Sequence, residues 1–435
     1  MLPREENDLV TRVGPGTPLG NVMRRYWNPV CTTEQLPHPD CAPLRLSVLG
    51  ERFVAFRDTA GKVGVLDEMC MHRGASLALG RVEECGIRCL YHGWKFAVDG
   101  TILETPNHVD PRLKSRLKAP AYPVREAGGL VWAYLGPKEK EPPFARYRFM
   151  DAPPENRCVV RINVRASYLQ LWEGGADSSH VGILHSDAAR PGWIDKTFNV
   201  NRDVLNPGAF EADDNTPRLE VENTDFGFHY AAIRQTGRIE NGAPIENVRI
   251  VPLIMPFTRI IPSRVTYYTI FEVPADDEST STFMVVDSPQ LVDRDRIWNI
   301  LGIDDERYYS KEDCTFRATW ANRFGQDRER MKRNWTGFRG LEQEDAVMSL
   351  SMGPILDRSK EHLVAADRAV VRMRRRVLDN IKIVEGGGDP IGVQLADLTQ
   401  IVAVDLNVAA GTRWQDLVTV NTTIDSPKER ARERA

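Results

Sequence analysis

Short, mainly apolar, β-rich runs separated by polar turns dominate the first third of the chain. RLSVLG, ERFVAFRD, KVGVLDE, WKFAVDG and GLVWAYLG follow one another between Leu44 and Leu135. Runs of four to eight such residues bounded by turn signals mark strands. Asp99-Gly100 and Gly128-Gly129 supply turns between them. An all-β module is therefore predicted over residues 44–148. It follows an N-terminal segment, 1–43, with a Gly/Pro-rich stretch (RVGPGTPLG) and a helix-like VMRRYWNPV, and it leads out through the proline-rich GPKEKEPPFARY.

Residues 149–435 mix strand and helix. CVVRINVRASYLQLWEGGADSSHVGILH begins as strand and becomes helix, and RLEVENTD, GFHYAAIRQTG, RVTYYTIFEVP and STFMVVDSP read as further strands. Helical spacing of apolar residues appears in DRDRIWNILG, in EQEDAVMSLSMG and most clearly in SKEHLVAADRAVVRMRRRVLDNIKIV. The arginines of RMRRR are assigned to a solvated helix face. The fold class is α+β, with an all-β module ahead of a larger mixed domain that ends in helices.

Composition narrows the function. A chain of 435 residues exceeds one small core, so two domains are expected. With 42% hydrophobic residues, 27% charged residues and a net charge of −4, nothing calls for nucleic acid or an anionic membrane as partner. The N-terminus is charged from its fourth residue, and the most apolar stretch, IVPLIMPF, is short and carries two prolines. No run approaches the roughly 20 apolar residues of a membrane helix, and a cytoplasmic location is expected. Seven cysteines, an odd count, argue against a disulfide framework.

Two of those cysteines carry the strongest chemical signal. Cys70-Met71-His72 and Cys89-Leu90-Tyr91-His92 each offer one thiolate and one imidazole, and a glycine (Gly74, Gly93) follows each set closely. Two sulfurs on one iron and two imidazoles on the other make the ligand set of a Rieske [2Fe–2S] cluster. A structural zinc site is the competitor. Zinc sites group like with like, as C-x-x-C and H-x-x-H, whereas each pair here is mixed.

A second constellation lies in Asp177-Ser178-Ser179-His180 and His185. On an ideal helix His180 and His185 would stand about 140° apart, so a shared metal requires local unwinding or a π-bulge, which Gly182 would ease. Asp177 is placed to accept an imidazole N–H rather than to bind metal. A third ligand would complete the open two-histidine, one-carboxylate set of an O₂-activating iron(II). Glu342, Glu344, Asp345 and Asp357 are the candidates, and spacing alone does not choose among them. An electron carrier lacking the second metal, or a zinc-stabilised binding protein, are the readings from other classes; the first would leave most of the chain without a purpose.

The chain resembles the Rieske non-haem iron aromatic-ring oxygenases, specifically the oxygenase component of the phthalate-dioxygenase type. The likeness runs nearly end to end through EENDLVTRVGPGTPLG, RRYW, YHGWKF, EGGADSSHVGILH and EDAVMSLSMGPILDRSKEHL. It implies a helix-grip catalytic domain around a curved antiparallel sheet. It implies that His180, His185 and Asp345 ligate mononuclear iron, and that Asp177 bridges an iron-ligating histidine to His92 of a neighbouring subunit in a homotrimer, sometimes stacked as a hexamer. An NAD(P)H-dependent reductase, with or without a ferredoxin, would supply electrons for O₂ chemistry on an aromatic carboxylate. Arg234 and then Arg202 are the arginines expected to clamp that carboxylate. The resemblance leans to O-demethylation of a methoxylated aromatic acid, with cis-dihydroxylation of a phthalate-like compound as the alternative.

Overall fold

A computed structural model describes residues 2–110, 112–189, 194–195, 214–262 and 266–418. Helices α1 (Arg4–Thr11) and α2 (Pro18–Met23) open the chain. Thr17 caps α2 by accepting the Gly20 N–H, and Pro18 starts the helix where a missing N–H costs nothing. The expected helix does not extend through WNPV. Trp27–Thr32 forms a strand, β1, in which all six residues are buried.

The first module has three small antiparallel sheets. β2 (Leu44–Val48), β3 (Glu51–Arg57) and β4 (Val63–Asp67) form one with β9 (Ala121–Tyr122). β5 (Arg81–Glu83), β6 (Gly86–Arg88), β7 (Lys95–Phe96) and β8 (Ile102–Glu104) form the second. A short helix, α3 (Arg112–Arg116), follows β8. β11 (Leu130–Tyr134) lies between β1 and β10 (Val124–Ala127) in the third.

The second, larger domain is built on a ten-stranded, mostly antiparallel sheet. Its strands are β12 (Arg157–Val164), β13 (Arg218–Asn223), β14 (Gly227–Glu240), β15 (Ala243–Ile254), β16 (Thr258–Ile261), β17 (Tyr267–Pro274) and β18 (Thr280–Asp287), with the short β19 (Tyr309–Ser310), β20 (Thr315–Phe316) and β21 (Val404–Ala409). The sheet runs β13-β14-β15-β16-β17-β18-β12-β20-β19, and β21 pairs along β15. β12 buries every second residue (Cys158, Val160, Ile162, Val164), as period two demands.

The helices are α4 (Tyr168–Ala176), α5 (Ser186–Ala189), α6 (Arg294–Leu301), α7 (Leu341–Ser351) and α8 (Arg368–Glu385). Val370, Met373, Val377 and Ile381 of α8 share one stripe and enter the main core with Val10, Val22, Trp132, Trp172, Phe228 and Phe271. Trp132 of the first module meets Phe271 of the ten-stranded sheet edge-on at 5.2 Å, so the two modules share this core. The RMRRR arginines are not all solvated. Arg374 and Arg376 are buried, because Glu173 and Glu361 neutralise Arg374, while the Gly227 and Thr224 carbonyls accept from Arg376.

Candidate metal centres

Cys70 and Cys89 sit on two loops closed by the same pair of backbone bonds. The Cys70 N–H donates to Ala75 O and the Gly74 N–H to Cys70 O; the Cys89 N–H donates to Trp94 O and the Gly93 N–H to Cys89 O. Gly74 and Gly93 both take positive φ, +71° and +75°, which side-chain-bearing residues rarely adopt. Buried Glu68 ties down the first loop by accepting from Ser76 Oγ at 2.7 Å and Arg45 Nε at 3.0 Å.

Both thiols are 2% exposed, whereas the two imidazoles are half-buried, so sulfur lies inward and nitrogen outward. Burial, and then the neighbouring Cys89, push the Cys70 thiol up to about 11; a bound metal would displace that proton. The His72 and His92 rings lie 4.6 Å apart, and Trp94 stacks flat on His72 at 4.7 Å, with its Nε1–H held by Asn107 Oδ1. Two buried thiols facing two outer imidazoles fit the sulfur and nitrogen ends of a [2Fe–2S] cluster. Cys85 stands apart, in the exposed two-residue turn between β5 and β6.

The second centre forms where α4 ends. Gly175 lets the helix approach the sheet, since a Cβ there would fall 2.4 Å from Arg259 Cδ. α4 stops at Ala176, Asp177 turns extended, and His180–Gly182 form a single 3₁₀ turn. The two histidines are therefore freed by a helix end rather than by a bulge within one helix. Ligand atoms of His180, His185 and Asp345 lie within 4.8 Å of one another. Asp345 Oδ1 is 3.2 Å from His185 Nε2 and 3.8 Å from His180 Nε2.

The outer nitrogens are also accounted for. His185 Nδ1 lies 2.7 Å from Glu344 Oε2, and His180 Nδ1 lies 3.5 Å from Asp177 Oδ2. A carboxylate at each Nδ1 holds the N–H there and turns each Nε2 lone pair toward Asp345. Burial works against charging His185, yet Asp345 and Glu344 raise it to about 10. Burial would also raise the Asp345 carboxyl, but the His185 and His180 imidazoles hold it well below the usual range. A site that attracts protons this strongly in the absence of metal is an electronegative cradle suited to a divalent cation. Two imidazoles and one carboxylate fit iron(II) with open positions.

The four carboxylate candidates separate cleanly. Asp345 meets the imidazoles, Glu344 supports His185, and Glu342 lines the adjoining cavity. Asp357 caps a 3₁₀ turn by accepting from Ser359. Glu173 faces away from the imidazoles into a buried ion-pair network with Arg358 and Arg374 that ties α4 to α8.

Next to the imidazoles lies a cavity of about 110 Å³. Its wall is mainly apolar, from Val251, Ile261, Tyr268, Ile270, Met284 and Leu301, with Arg249 and Arg259 among the polar groups. Arg234, expected to clamp substrate, is not in this wall. It lies on the same sheet face one residue pair further along β14, where Ser178 O and Oγ accept from its Nη2. Arg202 lies outside the described residues. Sequence reasoning missed Arg249, because the prolines at 244 and 252 hid β15; Glu344 was among the candidate ligands, but its role as the partner of His185 Nδ1 has no spacing signature.

Comparison with known proteins fits this geometry. The family described as "Rieske [2Fe-2S] domain" matches residues 26–123, and "LigXa C-terminal domain like" matches residues 133–434. The phthalate 4,5-dioxygenase oxygenase subunit of Pseudomonas putida is 38% identical, over 96% of this chain and 94% of its own. The 5,5'-dehydrodivanillate O-demethylase oxygenase subunit of Sphingobium sp. (strain NBRC 103272 / SYK-6) is 30% identical, over 90% and 83%. Among solved structures, the NdmA QL mutant of Pseudomonas putida CBB5 with caffeine superposes with a TM-score of 0.58 at 17% identity, covering 91% of this chain and 99% of its own. No helix among the described residues is long and apolar enough to cross a membrane.

Proposed function

The chain belongs to the Rieske non-haem iron oxygenases of the phthalate-dioxygenase type, as an oxygenase component, and from that premise we propose that it oxygenates a carboxylated aromatic compound, by O-demethylation of a methoxylated aromatic acid. The observation that carries this reading is one cavity with an apolar wall, an arginine and the imidazole–carboxylate set. An aromatic ring packs against Val251, Ile270 and Met284, and the Arg249 guanidinium takes the carboxylate. Iron(II) held by His180, His185 and Asp345 supplies the activation of O₂. Asp177 and Glu344 hold the two imidazoles in orientation, and the apolar wall keeps water from the reacting carbon.

Oxygenase subunits of such multicomponent systems work with a reductase or ferredoxin. The half-buried His72 and His92, flanked by exposed Leu90 and Tyr91, give an NAD(P)H-dependent reductase or ferredoxin its approach. We assign Asp177 as the link between His180 and His92 of a second copy in a homotrimer. Its carboxylate remains 31% exposed beside exposed Ile183, and an apolar fringe on each side suits such a contact.

A second reading, cis-dihydroxylation of a phthalate-like ring, is favoured by the 38% identical relative. The test is substrate-dependent O₂ uptake across a panel of methoxylated and unmethoxylated aromatic acids, with formaldehyde measured. One formaldehyde per O₂ supports demethylation. Uptake with a cis-diol and no formaldehyde supports the second reading. Uptake unaffected by any aromatic acid refutes both.

A further inference from the structure

Resting on the reading that Arg249 anchors the substrate carboxylate, the charges around that arginine carry a further conclusion. Arg249 on β15 stands opposite Ala232, and Arg234 on β14 stands opposite Asn247. The two guanidiniums are thus diagonal neighbours on one face of the sheet. β21, near the end of the described chain, places Asp405 opposite Arg249 on that face. Asp405 Oδ2 accepts from Arg249 Nη1 at 3.2 Å, and its Oδ1 accepts from Asn247 Nδ2 at 2.7 Å. The side chains of the pair are 7% and 0% exposed.

Among the described residues Arg234 has no such counterion in contact. Its acceptors among the described residues are neutral: Ser178 O at 2.8 Å, Ser178 Oγ at 2.9 Å and Asp214 O at 3.2 Å. The side chain is 3% exposed, and its Nη1 is buried without a partner. The Asp214 carboxylate instead accepts the N–H groups of Thr216 and Gln235 at the rim. Across the cavity Glu272 neutralises Arg259 at 3.1 Å, and Glu342 lines the wall as a carboxyl that burial, and then Asp345, push up to about 8. Both guanidiniums of the wall, Arg249 and Arg259, thus already face a carboxylate, while Arg234 stands behind the wall. A second carboxylate on the same ring would find no unpaired guanidinium in the wall, with the charge of Asp405 lying directly behind Arg249 and little water to screen it.

We propose that Asp405, delivered by the C-terminal strand β21, determines specificity: it cancels the charge of Arg249 and makes the site select aromatic monocarboxylates over dicarboxylates. The test measures dissociation constants by calorimetry, and KM and kcat, for metal-loaded enzyme with benzoate against phthalate and a methoxybenzoate against the matching methoxyphthalate. The wild type should bind each monoacid more tightly than its diacid. Asp405→Asn should shift that ratio toward the diacid by at least about tenfold, in Kd and KM rather than kcat, and Asp405→Glu, which keeps the charge, should retain the wild-type ratio. A wild type that prefers the diacids overturns the proposal, a result that stands even if Asp405→Asn does not fold. An unchanged ratio in folded Asp405→Asn overturns the role of Asp405 while leaving the carboxylate reading intact. If neither class of acid binds protein carrying both metal centres, the carboxylate reading and this inference fall together.

Discussion

Cys70 and His72 are two residues apart and Cys89 and His92 three, whereas His185 and Asp345 are separated by 160 residues of chain. The cluster loops close on themselves, each with two backbone hydrogen bonds and one left-handed glycine. The mononuclear centre needs the end of α4, the following 3₁₀ turn and α7 brought together on a ten-stranded sheet. Local construction makes the first centre a property of its loops. The second is a property of the whole catalytic domain, and its ligands are only as well placed as the packing behind them.

That contrast predicts separable failures, and the largest is all-or-none. Cys70→Ser should abolish the visible absorption of the cluster while mononuclear iron, measured by metal analysis, stays bound. Loss of both metals would show that the two centres are not independently built.

Acid should strike the assembled centre through its scaffold. Burial holds His229, on β14, at about 4. The unfolded chain binds a proton near pH 6.5 that the folded chain refuses. Stability is therefore full above pH 6.5 and falls as the pH drops toward 4, by up to about 3 kcal/mol. Denaturant unfolding at stepped pH checks the slope, and His229→Phe should flatten it. An equal slope in that variant would place the acid sensitivity elsewhere.

A smaller effect is expected at Glu344, which touches His185 Nδ1 and accepts from Thr336 Oγ1 at 2.5 Å. Glu344→Gln should weaken iron binding roughly 10- to 100-fold in a metal titration and leave the cluster spectrum unchanged. Wild-type affinity would mean that His185 is oriented by packing alone.

The same contrast explains how much the sequence revealed. Each cluster motif is contiguous, so its ligands and glycines could be read directly. The two histidines were legible for the same reason, but their geometry was not: α4 ends at Ala176, and no bulge inside one helix is needed. Asp345 could not be told from Glu342, Glu344 or Asp357, because the choice depends on which face of α7 meets the 3₁₀ turn. β15 was hidden by its prolines. Pro252 lies between the stretch paired with β21, ending at Ile250, and that paired with β16, beginning at Leu253, a place where a missing donor is tolerated. Arg374 and Arg376 read as solvated because their partners come from distant segments. Arg249 was missed along with its strand.

The central claim is that electrons held at the cysteine–histidine loops reach the metal between His180, His185 and Asp345 through Asp177. Asp177→Asn keeps an acceptor for the Ser179 N–H, which Oδ1 now receives at 2.8 Å, but removes the charge. Rapid mixing of reduced, iron-loaded variant with substrate and O₂ tests the route directly. The account predicts that the cluster stays reduced far longer than in the wild type, although both metals are present in full. Reoxidation of the variant at the wild-type rate would contradict it.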